Sequence, residues 1–174
     1  MTRRSAGLWA GLIAITVSTI ILRVAEPLGI RAGGGVLLRF ARLVLGPVIE
    51  GLGIDELWVA AGLPGPSSML FGLAFRYLAG FGMVFFYVFA LERVLPASGL
   101  VKGAVFALLP WLGAVLVVMP LVGAGAFGLR EVPLSGAVYF FVVNLSFGVV
   151  LGVLYDKFRK AWGGSLRHTS SSVG

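Results

Sequence analysis

NLSFGVVLGVLY, residues 144–155, repeats the skeleton of RYLAGFGMVFFY, residues 76–87: a polar residue, a glycine four positions on, a tyrosine seven after that. Asn144, Gly148 and Tyr155 answer Arg76, Gly80 and Tyr87. Each stretch lies within a long apolar run that follows another apolar run, so the chain reads as two helical hairpins built to one plan. Apolar runs of about 20 residues cross a hydrocarbon core as helices, whereas barrel strands would show short alternating segments, and this sequence has none. The fold class is therefore all-α, an integral membrane four-helix bundle of two similar hairpins in parallel repeat.

Composition agrees. Of 174 residues, 59% are hydrophobic and 12% charged, and the mean hydropathy is +1.02, far from the balance of a soluble domain. Fourteen Lys and Arg against seven Asp and Glu give a net charge of +7. Such an excess can mark a nucleic-acid binder, but here the charges stand at the ends of apolar runs, where topology and anionic headgroups account for them. No nucleic-acid partner is expected. The chain has no cysteine, which excludes disulfides and thiolate sites, and its one histidine, His168, is in the C-terminal tail. Met69, Met83 and Met119 could serve as axial ligands, but a membrane b-type haem also calls for histidine within the spans. No metal or other cofactor is expected.

The first span is placed at residues 6–22, behind Arg3 and Arg4. That layout resembles the n- and h-regions of a signal peptide, but the run is longer than a usual h-region, ends on Arg23 and has no small-x-small cleavage site. A retained anchor is the preferred reading, with a cleaved signal as the alternative. Gly7 and Gly11 leave one face smooth enough for close helix contact.

Residues 23–66 form an interfacial segment. Within it, residues 36–45 place Arg39 and Arg42 opposite Val36, Leu37, Phe40, Leu43 and Val44, the pattern of a helix lying in the membrane surface. Pro47 is expected to end or kink that helix, and a second short one is expected over 54–61, with Trp58 at headgroup level. Two arginines and three acids argue against a fifth span here. The remaining spans are placed at 67–91, 103–129 and 133–155. Pro110 and Pro120 are expected to kink the third, with residues 123–128 leaving the helix. A basic aromatic stub (Asp156, Lys157, Phe158, Arg159, Lys160, Trp162) follows the fourth, and residues 163–174, rich in Ser and Gly, are expected to be disordered.

Four spans put both termini on one side with Arg3, Arg4, Arg93, Lys102, Lys157, Arg159, Lys160 and Arg167, whereas the other side holds Arg23, Arg31, Arg39, Arg42 and Arg130. The positive-inside rule makes the terminal side cytoplasmic, in a cell inner (plasma) membrane. VAEPL (24–28) and VVMPL (117–121) extend the duplication to spans one and three. The repeat is then parallel, with its axis along the membrane normal, unlike the inverted repeats of many transporters.

KGAVFALLPWLGAVLVVMPLVGAGAFG (102–128) followed by NLSFGVVLGVLY resembles small uncharacterised four-span membrane proteins of bacteria and archaea, the YagU-like inner-membrane proteins. The likeness covers about residues 75–155 and, more faintly, 10–29. It implies a histidine at the positions of Arg76 and Asn144, where this chain departs, and it implies no settled activity.

Arg76 is the sharpest candidate, because an ionisable side chain within a span is a functional hypothesis by default, with Asn144 on the sister helix as a hydrogen-bond partner. The competing reading has Arg76 snorkelling to headgroups or pairing with Glu26 or Glu50, and Asn144 acting as interhelical glue. Gly80, Gly148 and Gly152 are read as packing positions rather than conduit lining. Tyr87, Tyr155, Trp9, Trp111 and Trp162 are assigned to aromatic belts. Glu92 and Asp156 are expected to pair with Arg93, Lys102 or Lys157 at an aqueous interface, for under about 1 kcal/mol. Ser67, Ser68, Ser135 and Ser146 lack a histidine base. Gly33–Gly35 lacks a phosphate-loop ending, and Glu50, Asp55 and Glu56 fit no calcium loop. The expectation is thus a non-enzymatic accessory or scaffold component that packs with the bilayer, with its own copies or with a larger membrane complex. The alternative is a small oligomeric transporter or channel with Arg76 and Asn144 near the pathway.

Overall fold

The computed structural model describes residues 3–31, 36–63 and 68–168. Helix α1 covers Arg3–Val24, and two surface helices, α2 (Val36–Gly51) and α3 (Ile54–Ala60), follow it. Helix α4 covers Met69–Leu91, α-helical to Phe86 and π-helical over Tyr87–Leu91. Helix α5 covers Gly99–Leu121, with a π turn at Ala114–Val118, and α6 covers Leu134–His168. Of these, α1, α4, α5 and α6 are long and apolar enough to cross a membrane. The chain is an all-α, multi-pass membrane bundle.

The helices start where the sequence supplies caps. The Ser68 hydroxyl accepts the Phe71 amide at 3.1 Å, satisfying one of the free donors of α4's first turn. For α5, the Ser98 hydroxyl accepts from Val101, and the Asp156 carboxylate, reaching across from α6, accepts the Gly99 amide at 2.7 Å. This cross-helix cap starts α5 at Gly99 rather than at residue 103. After Leu121, Gly123 and Gly125 take positive φ angles of 85° and 74°, conformations natural to glycine. They turn the chain back into α6, so the exit from α5 falls where the glycine cluster predicts.

Helices α1 and α6 pack together through the middle, α4 lies outside α1, and α5 lies outside α6. Of α4's apolar window only 6% is buried, against 39% for α1, so α4 is the peripheral helix. The core contains Ala10, Ile15, Val84, Tyr87, Phe106, Leu151 and Tyr155, and a smaller cluster seats Val36 of α2 on Val115, Met119 and Ala124.

The two hairpins share one packing register. A Cβ on Gly7 would meet Val88, one on Gly11 would meet Val84, and one on Gly80 would meet Ile15. In the second hairpin Gly99 faces Gly152 and Asp156, Gly152 faces Gly103, and Gly148 faces Ala107. These are the same contacts moved along the chain by a constant offset in each helix. A π turn holds one more residue than an α turn, so the π turn of α5 carries an inserted residue. It brings Pro27 opposite Pro120, as the VAEPL and VVMPL match requires.

Several expectations are corrected. Pro47 lies inside α2, which runs on to Gly51; the ring is on an exposed face, and the carbonyl it leaves unbonded need not be buried. Helix α6 does not end at Tyr155 but continues through the basic stub to His168. Extending a formed helix gains one hydrogen bond per residue fixed, which carries it past Gly163 and Gly164; residues 169–174 of the predicted tail lie outside the described residues. Tyr87 and Tyr155 form no belt. Both are fully buried and meet edge to face, with centroids 5.8 Å apart, because equivalent positions of a parallel repeat face its axis.

Candidate functional site

At the end of the bundle away from the termini, a cavity of about 910 Å3 lies between the four spans. Arg76 and Asn144 both line it, as do Ser18, Thr19 and Arg23 of α1. The rest of the wall is apolar and often small: Gly72, Ala79 and Gly80 of α4, Gly113 and Ala114 of α5, Phe140, Val143 and Phe147 of α6. Towards the termini the interior closes over an aromatic layer. Tyr87 meets Phe106 at 5.2 Å and Phe106 meets Phe147 at 6.3 Å.

Arg76 is half-buried and held from α1. Its Nε donates to Thr19 Oγ1 at 2.8 Å and its Nη2 to Ser18 Oγ at 3.3 Å. Each hydroxyl gives its own hydrogen to the Ile15 carbonyl, at 2.7 Å from Thr19 and 3.0 Å from Ser18. A hydroxyl has a single hydrogen to donate, so both can only accept from the guanidinium, and its orientation is fixed from behind. Two further bonds brace the walls: Thr16 to the Tyr77 hydroxyl at 2.9 Å, and the Tyr139 hydroxyl to the Ile21 carbonyl at 2.5 Å.

The guanidinium pairs with no carboxylate among the described residues. Neither Glu26 nor Glu50 is its partner; the two hydroxyls are. A guanidinium carries five N–H donors and two of them are engaged by α1. Asn144 does not reach Arg76 either, because its Nδ2 donates to the Phe140 carbonyl of its own helix at 2.8 Å. The structure therefore places the two residues on one cavity without a bond between them. Of the glycines singled out for packing, Gly7, Gly11, Gly148 and Gly152 lie at helix contacts, and Gly80 lies both against Ile15 and on the cavity wall.

Beside the cavity, a charge pair ties α2 to the bundle. Arg39 of α2 donates through both terminal nitrogens to the two carboxylate oxygens of Glu131, at 2.7 and 2.5 Å. That forked bond holds the Glu131 carboxyl below the usual carboxylate range and raises the Arg39 guanidinium above its ordinary value. It ties the surface helix, whose Val36 and Leu38 line the cavity, to the loop between α5 and α6.

At the opposite end Glu92 is buried and pairs with Arg159 and, at 3.9 Å, with Lys102. The expected pairing with Lys102 is present, but in a nearly closed setting where only 5% of the Glu92 side chain is exposed, not at an aqueous interface. Asp156 serves instead as the cap of α5. Trp111 packs on Phe141 at 4.8 Å and Phe127 at 5.9 Å, whereas Trp9 is exposed as a belt residue would be; the Trp162 side chain lies outside the described residues.

Reasoning from sequence missed Ser18 and Thr19, the residues that aim Arg76. The available signal was a pair of adjacent hydroxyls inside an otherwise apolar span. Among the described residues no group of three His, Asp or Glu side chains is placed to hold a metal ion. Comparison with known proteins adds no name to the site: no family model, no curated protein and no solved structure matches the chain.

Proposed function

We propose that this is a non-enzymatic inner-membrane protein that binds an anionic ligand in the half of its bundle away from the termini, as a small carrier or transporter does. Arg76 carries the reading: a permanent cation, braced by Ser18 and Thr19, facing a cavity of about 910 Å3 with no carboxylate among the described residues paired to it. Holding such a charge within a span is costly, and the cost persists where the charge meets an ion or a substrate. An arginine fork suits a carboxylate or phosphate, which it can hold through two parallel bonds. The volume falls inside the range of about 300–1,000 Å3 usual for small-ligand sites.

A scaffold component, in contrast, calls for Arg76 at the outer surface and a dry, filled interior. The cavity favours the carrier reading over that one. We place both termini in the cytoplasm, because the basic residues of the short segments gather at their end of the bundle. The cavity then faces the extracytoplasmic side, and the aromatic layer around Tyr87 and Tyr155 is its cytoplasmic floor.

The test is ligand-dependent melting of the purified protein in nanodiscs of zwitterionic lipid, against carboxylates and phosphates of short and long chain and their uncharged analogues. A bound ligand at 100 times its dissociation constant stabilises by about 2.7 kcal/mol. At least one anion should raise the melting temperature where its neutral analogue does not. The rise should vanish in Arg76→Gln and return in part in Arg76→Lys. Indifference of the wild-type protein to every anion, together with a stable membrane partner on mild extraction, would restore the scaffold reading.

A further inference from the structure

Resting on that reading of Arg76, we infer that the ligand is a single-chain lipid anion, its carboxylate or phosphate head on the Arg76 guanidinium and its acyl chain lying in the cleft between α4 and α5. Around the ring of spans, α4 packs on α1, α1 on α6 and α6 on α5. The fourth side closes near the aromatic layer, where Phe86 and Tyr87 of α4 meet Phe106 of α5 at 6.4 and 5.2 Å. Above that level the two helices leave a cleft lined on the α5 side by Leu109, an exposed apolar residue. In a spanning bundle that cleft opens sideways into lipid, not into water.

The cavity continues into the cleft. A second space of about 380 Å3 shares Ala79, Met83 and Pro110 with the first and extends past Gly82 and Leu109 to Phe86 and Phe106. No polar side chain lines it. From Arg76 to Phe86 is ten residues of helix, about 15 Å at 1.5 Å per residue, so a head on Arg76 leaves an apolar path long enough for an acyl chain. A small soluble anion would have no use for that path.

The chemistry divides accordingly. Moving an acyl chain from bilayer to cleft exchanges one apolar surrounding for another, so the chain gives a route and little preference. The charged head decides retention, because Arg76 offers it a forked cation where hydrocarbon offers nothing. Arg23, on the same wall nearer the surface, adds a second positive charge on the way in. Serial capture from the membrane side, head towards Arg76, is the order this layout permits.

A palmitate carrying a photoreactive diazirine on its chain, added to the protein in zwitterionic nanodiscs, tests the inference by mapping the label to peptides. The label should concentrate on the segments holding Met83 to Phe86 and Phe106 to Pro110. Unlabelled palmitate or lysophosphatidate should compete with it and hexadecanol should not; competition by either acid supports the inference, and the stronger of the two names the head. Arg76→Gln should lower labelling at least tenfold and Arg76→Lys should recover part of it. Gly82→Phe fills the cleft from a position whose Cβ meets no atom within 4 Å, so it should fold normally and lose the label with Arg76 intact. Labelling spread over every lipid-facing helix and indifferent to Arg76→Gln would overturn the inference. So would protection by acetate or inorganic phosphate equal to that by palmitate, which would leave the anion site standing without its chain. Failure of all anions to compete, long or short, would remove site and inference together.

Discussion

Replacing Gly148 by alanine should weaken the bundle, and the geometry says by how much. The added Cβ would stand 2.7 Å from the Ala107 Cβ and closer still to the Gly103 carbonyl, where carbon atoms prefer about 3.5–4.0 Å. The obstruction is backbone and a methyl group, so no rotamer change relieves it and α5 must move off α6. Overpacking of this kind costs about 1–3 kcal/mol, offset by roughly 1 kcal/mol of better helix propensity. The net loss should be about 0–2 kcal/mol, towards the top of that range because the obstruction includes backbone. Gly11→Ala meets the two methyl groups of Val84 at 2.6 and 2.9 Å; a valine in a helix has one strongly preferred rotamer, so the loss should be smaller but real. Gly113→Ala meets nothing within 4 Å and should gain up to about 1 kcal/mol from propensity alone. Unfolding in mixed micelles of dodecyl sulfate and maltoside, followed by circular dichroism, should rank the proteins Gly113→Ala, wild type, Gly11→Ala, Gly148→Ala in falling stability. If Gly148→Ala unfolded level with Gly113→Ala, the close contact of α5 and α6, and with it the shared register of the two hairpins, would be refuted.

Two further outcomes follow from the charges at either end. Glu92→Gln leaves Lys102 and Arg159 facing a neutral amide in a mostly buried setting; with Arg159 more than a third exposed, the loss should be about 2 kcal/mol, and a cycle with Arg159→Gln should give a coupling of at least about 0.5 kcal/mol. No coupling would mean that the pair is solvated. The Arg39–Glu131 tie should depend on pH: because pairing lowers the Glu131 carboxyl below its unfolded value, the tie is present above the usual carboxylate range and is lost as pH falls through the lowered value. Spin labels on α2 and on the loop after α5 should draw apart only in acid, and Glu131→Gln should abolish the change.

The spans were legible because burial in lipid demands length and apolarity, which the sequence displays directly. The parallel repeat was legible too, from Gly80 and Gly148 and their neighbours. What stayed hidden depends on which face of a helix meets which neighbour. Tyr87 and Tyr155 stand at span ends, where aromatic residues commonly meet headgroups, and only the packing of the bundle turns them towards one another. Ser18 and Thr19 are unremarkable in a span until Arg76 is seen to rest on them. The π turn of α5 leaves no sequence signal beyond the nearby Pro110 and Pro120, yet it accounts for the shift that the proline match needs. Asp156 illustrates the same limit: a charge at a span end reads as interfacial, but it caps another helix.

The shared register also says why only the first hairpin sets a cation at this position, Arg76 where the second has Asn144. Moving Ile15 onto Ala107, as the contacts to Gly80 and Gly148 require, moves Ser18 and Thr19 onto Pro110 and Trp111. The second hairpin thus lacks the hydroxyl pair at the place where the first has it, and it carries Asn144 where the first carries Arg76. An arginine there would have no acceptors behind it, and an asparagine needs none, because it bonds its own helix at Phe140. The two substitutions are linked: the cation and its hydroxyls belong together, as do the amide and the apolar pair. Pro110→Ser with Trp111→Thr loses the packing of Trp111 on Phe141 and Phe127, but adding Asn144→Arg should cost less in that background than in the wild-type protein. Melting of the four proteins of this cycle measures the difference, and an equal cost of Asn144→Arg in both backgrounds would mean that the hydroxyls do not carry the charge.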